Sequence, residues 1–261
     1  MNWVIDLDGV MWLGAQPIEG SPEAVAELLL RGDRVVFATN NSTESGESRA
    51  AELVSHGLPE GIEVVTSADA AAGLADAGDL ALVVGGDGLV EALRRRGCRA
   101  TRAFPPERMD LIEGPFTLVV VGLDREFDYR SLDLASSAVR SGARLVATNT
   151  DATFPSEHGP RPGAGSLVIA VETASGATAE VAGKPHGPMA ELLRARLAGA
   201  QPGEVVVVGD RVDTDGELAK RLGWPFALVL SGVTDRAPTG SDPPVAHVSA
   251  TLADLVGEWP R

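Results

Sequence analysis

The chain has 261 residues, enough for one large domain or two modest ones with real cores, and its hydrophobic (44%) and charged (23%) fractions are those of an ordinary globular protein. A formal net charge of −15 argues against nucleic acid and anionic membranes as partners, because so acidic a surface repels phosphate groups. The lone cysteine, Cys98, permits no intrachain disulfide and implies no oxidising compartment. No basic region precedes the apolar residues 3–5, and no apolar run approaches the roughly 20 residues of a membrane span. The expected location is cytoplasmic.

Short β-branched runs alternate with amphipathic patterns along the chain, which predicts an α/β fold with a parallel sheet. Residues 4–5 read as the first strand. Ser21 then reads as a helix N-cap with Pro22 at the first helical position, Val25, Leu28 and Leu29 as the buried stripe, and Gly32 as the stop. Residues 35–38 form the next predicted strand and run into Thr39-Asn40-Asn41; the following helix carries Leu53 and Val54 and stops at Gly57. A second α/β set comes next, with strands at 80–84, 118–121 and 145–147 and helices around 89–93 and 134–139. The first pattern returns with an apolar strand at 205–208 ending in Gly209-Asp210, a helix carrying Leu218 and Leu222 that ends at Gly223, and a strand at 226–230. With no Ser/Gly-rich linker to mark them, the boundaries fall near Ala68 and Thr178. Residues 1–68 and 179–261 are then two halves of one core, and residues 69–178 are an insert.

Four strand-end or loop motifs could carry chemistry. Asp6-Leu7-Asp8-Gly9-Val10 follows the first strand, at the carboxyl edge where ligands gather in open α/β sheets. Two carboxylates two residues apart can face one side, and so close together they require a cation or a shared proton. The same residues also make an ordinary acidic turn. In Gly209-Asp210-Arg211-Val212-Asp213-Thr214-Asp215, Asp210 stands at a strand end where it could share a magnesium ion with other carboxylates. Asp213 reads more simply as a helix cap, and Asp215 as a charge favouring the helix N-terminus. Thr39, Asn40 and Asn41 offer a hydroxyl, amides and backbone N–H groups suited to phosphate oxygens, or simply an Asn-rich turn. In Gly183-Lys184-Pro185 the proline favours an extended Lys184, although a lone lysine is usually a solvated surface charge.

Taken in order, these four motifs resemble those of the haloacid-dehalogenase-like superfamily. Together with Thr148-Asn149-Thr150-Asp151 and Gly163-Ala164-Gly165-Ser166, they are similar to its branch of 4-nitrophenyl, phosphoglycolate, glycerol-phosphate and pyridoxal phosphatases. The similarity spans nearly the whole chain. Gly216, where an aliphatic residue is expected, is a departure that should soften the start of its helix. The resemblance implies a Rossmann-like parallel-sheet core with an inserted α/β cap, and a Mg²⁺-dependent phosphatase acting on a small phosphorylated metabolite. It assigns Asp6 as nucleophile and Asp8 as general acid and base. Asp6, Asp210 and the Asp8 backbone carbonyl would hold the metal, Thr39, Asn40, Asn41 and Lys184 the phosphoryl group, and Asp215 would support Lys184 or a metal-bound water. Asn149, Asp151 and Phe154 would lie on the substrate-facing part of the cap, although Phe154 could equally be core. Caps of this kind often sit at dimer contacts, so a homodimer is a further expectation.

Rivals are a phosphomutase, whose insert would fall between the first two motifs, and a dehalogenase, which would lack Asp8. A phospho-acceptor switch or a binding module without turnover would also use an aspartate, a Thr and a Lys; Asp8 argues for turnover. Gly85-Gly86-Asp87-Gly88 reads as a strand–helix turn and Arg94, Arg95 and Arg96 as a solvated helix face. His56, His158, His186 and His247 lack metal-ligand spacing.

Overall fold

In the computed structural model, which describes residues 1–14, 16–103, 115–154, 159–238, 240 and 242–259, the first strand is β1 (Asn2–Ile5). Trp3, Val4 and Ile5 are buried, as a strand covered on both faces requires. A short hairpin, β2 (Trp12–Leu13) and β3 (Gln16–Pro17), leads to α1 (Ser21–Leu30), β4 (Arg34–Thr39), α2 (Gly46–Ser55), β5 (Glu63–Thr66) and α3 (Ser67–Gly73). The next stretch runs β6 (Leu80–Val84), α4 (Asp87–Arg95), β7 (Arg99–Arg102), β8 (Leu118–Val121), α5 (Tyr129–Arg140) and β9 (Arg144–Ala147). It closes with the hairpin β10 (Thr153–Phe154) and β11 (Arg161–Pro162), then α6 (Ala164–Ser175) and β12 (Glu180–Val181). The chain returns through α7 (Gly187–Arg196), β13 (Val205–Gly209), a wide π-type turn at Val212–Gly216, α8 (Glu217–Leu222), β14 (Phe226–Val229), β15 (His247–Ser249) and α9 (Leu252–Glu258).

The core sheet has the order β15-β14-β13-β1-β4-β5, with every pair parallel. β1 lies between β13 and β4, so the crossovers on its two sides leave in opposite directions and open a crevice beyond its carboxyl end. The second sheet, β12-β9-β8-β6-β7, is also parallel. The fold is therefore α/β, a Rossmann-like core carrying an inserted α/β cap.

Side-chain alternation divides the interior. Trp3, Ile5 and Phe37 pack on one face of the core sheet with Val25 and Leu28 of α1 and Leu255 of α9. Val4, Val36 and Val207 point to the other face, in a cluster that continues through Ala71 and Met189 to Ala81 and Val83 of the second sheet. Leu82, Val84, Val119 and Val121 face the opposite way, against Ala135 and Val171 of α5 and α6. One apolar layer thus joins core and cap. Among the described residues no helix is long and apolar enough to cross a membrane.

One local reading needs correction and another needs extension. Gly20, at φ +79°, occupies the N-cap position of α1, and Ser21 is the first helical residue; its hydroxyl donates to the Val10 carbonyl at 2.8 Å, tying the helix to the loop that follows Asp8. Gly216 does more than soften a helix start. A Cβ there would lie 2.8 Å from Pro243 Cγ and 3.2 Å from the Phe226 ring, so β14 packs against bare backbone.

Candidate active site

Three adjacent strand ends build the floor of the site. The Asp6 N–H donates to Val208 O at 2.9 Å, which extends the β1–β13 ladder by one residue and fixes the Asp6 backbone. The chain then turns: Met11 N–H donates to Leu7 O at 2.8 Å, Gly9 N–H to Trp12 O at 2.7 Å, and Gly9 adopts φ +88°. Asp8 lies in this turn, and its Oδ1 accepts from Trp12 Nε1 at 3.1 Å. Thr39 ends β4, and Asp210 follows β13.

Asp6, Asp210 and Asp215 are buried, and one carboxylate oxygen from each lies within 4.8 Å of the others. Lys184, also buried, sits among them with Nζ 2.7 Å from Asp6 Oδ1 and 2.7 Å from Asp215 Oδ1. Asp6 Oδ1 additionally accepts the Leu7 N–H at 2.7 Å. Burial, and after it the charge of Asp210, raises Asp6 to about 7 against the pull of Lys184. Asp215 rises to about 7 through burial and then Asp6, again against Lys184. Asp210 rises to about 6 through burial and then Asp215. Burial opposes the charge on Lys184, but Asp215 and Asp6 outweigh it and hold the ammonium protonated. Asp8 is raised chiefly by burial, with Arg49 the first group to oppose the rise.

This cluster fits a hard divalent cation. Three carboxylates share a single ammonium, and close like charges demand compensation. Asp210 Oδ2 accepts the Val233 N–H at 2.6 Å, whereas its buried Oδ1 has no hydrogen-bond partner among the described residues. A buried carboxylate oxygen without a donor is costly, and oxygen-rich sites of this kind suit Mg²⁺ or Ca²⁺. Gly9 and Gly232 form a cradle, since a Cβ at either would collide with Asp210 Oδ2.

Asp215 therefore stands beside Lys184, one of the two tasks implied for it. Its other oxygen accepts the Arg211 N–H at 3.2 Å, and the wide turn at Val212–Gly216 carries it inward, as such turns often do at functional sites. Asp213 does not hold the N-cap position, which falls to Arg211 for the wide turn and to Gly216 for α8. It pairs instead with Arg211, at 3.1 Å from Nε and 2.8 Å from Nη2.

The Thr39-Asn40-Asn41 segment divides its work. Thr39 Oγ1 accepts the Asn41 N–H at 3.0 Å, and Asn41 Oδ1 accepts the N–H and hydroxyl of Thr43 at 2.9 and 2.7 Å. The side chain of Asn41 thus makes a turn. Asn40 Oδ1 accepts Lys184 N–H at 2.8 Å, while Nδ2 donates to Lys184 O at 3.1 Å and to Asp151 Oδ2 at 3.0 Å. Both amide hydrogens of Asn40 are committed to protein partners. Asn149 Nδ2 donates to Asn40 O at 2.8 Å, so two cap residues are tied to this one position.

A cleft of about 530 Å³ collects these groups: Asp6, Asp8, Thr39, Asn40, Asn41, Lys184 and Asp210 from the core, Asn149, Asp151 and Phe154 from the cap. Phe154 is half-buried and lines the cleft, with Arg125 Cζ 5.8 Å from its ring centroid. Trp12, Arg49, Arg125, Arg161 and Arg211 also line the wall and were not singled out by their sequence context. Trp12 and Arg211 adjoin the acidic motifs in sequence, whereas Arg49, Arg125 and Arg161 reach the cleft only through the fold. The glycines at 86 and 88 admit close approach, because a Cβ at either would collide with the backbone of Thr43 or Glu44. The strand–helix turn is thus also a core–cap contact. Arg94, Arg95 and Arg96 are exposed, but Arg95 reaches Glu47 and Asp69, and Arg94 and Arg96 bond to carbonyls. His186 precedes α7 and His247 pairs with Glu258; His158 lies outside the described residues.

The family model of haloacid dehalogenase-like hydrolases matches residues 3–99, and a HAD-hydrolase-like model matches residues 181–255. The chain is 39% identical over 236 residues to D-glycerol 3-phosphate phosphatase of Mycobacterium tuberculosis, covering 88% of this chain and 63% of that protein's length. It is 34% identical over 262 residues to the 5'-nucleotidase YutF of Bacillus subtilis, covering 99% of this chain and 96% of the relative. A crystal structure of glycerol phosphate phosphatase from Mycobacterium tuberculosis in complex with magnesium superposes with a TM-score of 0.84 at 34% identity, over 97% of this chain and 75% of that one. This chain belongs to the haloacid dehalogenase-like hydrolase family, in its phosphatase branch.

Proposed function

We propose that this chain is a magnesium-dependent phosphatase of small phosphomonoesters that works through an aspartyl-phosphate on Asp6, with Asp8 as general acid and base. The observation that carries the reading is the convergence of Asp6, Asp8, Lys184 and Asp210 in one cleft at the switch point of the core sheet. The phosphatase names and the magnesium complex among the relatives support it.

The Leu7 N–H and Lys184 both engage Oδ1 of Asp6, which leaves Oδ2 for attack on phosphorus. A bond forms from Oδ2 to phosphorus as the bond to the ester oxygen breaks, and Asp8 gives its proton to the departing alkoxide. Burial favours the protonated form of Asp8 that this first step needs. Water then attacks the phosphorus of the aspartyl-phosphate, passes a proton to Asp8 and regenerates the Asp6 carboxylate. Asp6 and Asp210, with the Asp8 backbone carbonyl, would hold Mg²⁺, which when bound offsets the charge shared by carboxylates and phosphoryl oxygens. Lys184 balances charge on the opposite side, and Thr39 with the Asn40 and Asn41 backbone would orient the phosphoryl group. The cap roofs the cleft and limits water, with Asn149, Asp151 and Phe154 on its substrate side.

Substrates within this reading include glycerol phosphate, phosphoglycolate and related small metabolites. A cytoplasmic setting and the lack of a nucleic-acid or membrane partner accord with the net charge of −15 and the lone cysteine; a homodimer is checked by light scattering. The test is phosphate release from 4-nitrophenyl phosphate, which should need Mg²⁺, stop with chelator and fall roughly 10⁴-fold or more in Asp6→Asn. Activity untouched by that substitution contradicts the assignment, and a single stoichiometric burst without turnover favours a phospho-acceptor switch.

A further inference from the structure

We propose that the preferred leaving group carries a second negative charge, a carboxylate or a further phosphate, bound by Arg125 and Arg161 beside Phe154. The inference rests on the phosphatase reading and narrows its substrate class.

The geometry starts from the β10–β11 hairpin. Phe154 and Arg161 are direct cross-strand partners, so their side chains share a face. Arg125, from the loop after β8, places its guanidinium carbon 5.8 Å from the Phe154 ring centroid, within cation–π range. All three line the same cleft as Asp6. Two arginines thus flank one aromatic ring on the cap side, across from the phosphoryl-binding floor.

The charges make this placement informative. The other two arginines of the cleft have acidic partners: Arg49 pairs with Glu44 and Glu52, and Arg211 with Asp213. Among the described residues Arg125 and Arg161 meet no carboxylate, in a chain with 37 acidic and 22 basic residues. Asp151, the acidic residue that the cap gives to the described cleft wall, accepts from Asn40. The cap side of the described cleft wall thus sets Arg125 and Arg161 against Asp151, a local positive excess on a strongly acidic molecule that steers anions inward.

Arginine retains its charge at any working pH, and its planar fork matches carboxylate and phosphate. Both arginines are exposed, so a neutral polyol leaving group would leave their guanidiniums to water, whereas an acidic one would gain two charge-assisted partners at the cleft mouth. Lys184 and the acidic cluster serve the transferred phosphoryl group, so the arginine pair is available to the rest of the ester.

Two ester pairs test this in the full chain with Mg²⁺. Glycerol 3-phosphate and 3-phosphoglycerate differ by a hydroxymethyl against a carboxylate; fructose 6-phosphate and fructose 1,6-bisphosphate differ by a second phosphate. The wild type should prefer the more charged member of at least one pair by about tenfold or more in kcat/KM. In the R125Q/R161Q double variant that ratio should collapse to within about threefold, chiefly through KM. No preference in either pair, or a preference that survives the double substitution, overturns the proposal. Calorimetric titration with 3-phosphonopropionate and propylphosphonate reads the arginines without turnover, and the wild type should bind the carboxylate-bearing phosphonate more tightly by a similar factor. Retained phosphonate preference without hydrolysis of any ester contradicts the phosphatase reading alone. Equal phosphonate affinities alongside normal turnover contradict the arginine pair alone.

Discussion

Asn40 and Lys184 hold one another by a reciprocal pair of hydrogen bonds, the Lys184 N–H to Asn40 Oδ1 at 2.8 Å and Asn40 Nδ2 to Lys184 O at 3.1 Å. The amide thereby fixes the backbone from which Lys184 reaches Asp6, and its second hydrogen holds Asp151 of the cap. Asn40→Ala should lower kcat/KM on 4-nitrophenyl phosphate by roughly 100-fold, the scale expected when a catalytic group shifts by about an ångström. Retention of wild-type kinetics would show that Lys184 is positioned without Asn40.

Lys184 is the cation that the buried Asp6 and Asp215 share. Lys184→Met strips the charge while keeping much of the volume, and breaking a buried pair from one side costs about 3–5 kcal/mol. Chemical denaturation of the metal-free variant should show a loss of that order. Saturating Mg²⁺ should recover part of the stability, because a bound cation relieves the same carboxylates.

Gly232 approaches Asp210 so closely that an added Cβ would strike Oδ2. Gly232→Ala should push Asp210 aside and raise the Mg²⁺ concentration for half-maximal activity by about tenfold or more. An unchanged metal requirement would remove Asp210 from the proposed ligand set.

Asp79 joins three strands of the cap sheet at their starts. Its carboxylate accepts the Thr117 hydroxyl at 2.6 Å and the Asp76 N–H at 2.9 Å, and pairs with Arg144 at 2.8 Å. Burial opposes ionisation, but Thr117, Asp76 and Arg144 outweigh it and hold the carboxyl below its ordinary value of 3.8. A depressed folded pKa gives stability that is present above the unfolded value and lost as pH falls through the folded one. Asp79→Asn should therefore cost about 1 kcal/mol at pH 7, and in a pH series of melts the gap from wild type should begin to narrow below about pH 4 and close only as pH falls through the lower folded pKa.

The sheet was legible because its strands are apolar on both faces, and Asp6, Thr39 and Asp210 stood out because each directly follows such a run. Lys184 carried only a weak local signature, the flanking Gly183 and Pro185; its pairing with Asp6 and Asp215 depends on residues far away in the chain. The clamp role of Asn40 depends on partners 111 and 144 residues away, beyond any local pattern. Ser21 satisfied the helix-start rule, yet Gly20 took the cap position because the serine hydroxyl was drawn to Val10. The packing role of Gly216 lay beyond local pattern for a similar reason, since only tertiary packing brings Pro243 and Phe226 against it. Arg125 and Arg161 meet at Phe154 through a hairpin and a cap loop, neither of which has the periodicity that betrays longer elements.

The central claim is covalent chemistry at Asp6, and acid-quench trapping tests it most directly. Enzyme mixed with excess 4-nitrophenyl phosphate and Mg²⁺, quenched within a turnover and digested, should yield the peptide containing Asp6 with one added phosphoryl group, labile to hydroxylamine. Asp8→Asn should slow decay of the adduct and raise its occupancy; Asp6→Asn should abolish it together with turnover. Phosphate release that persists in Asp6→Asn, or a phosphoryl group trapped on another residue, would contradict the account.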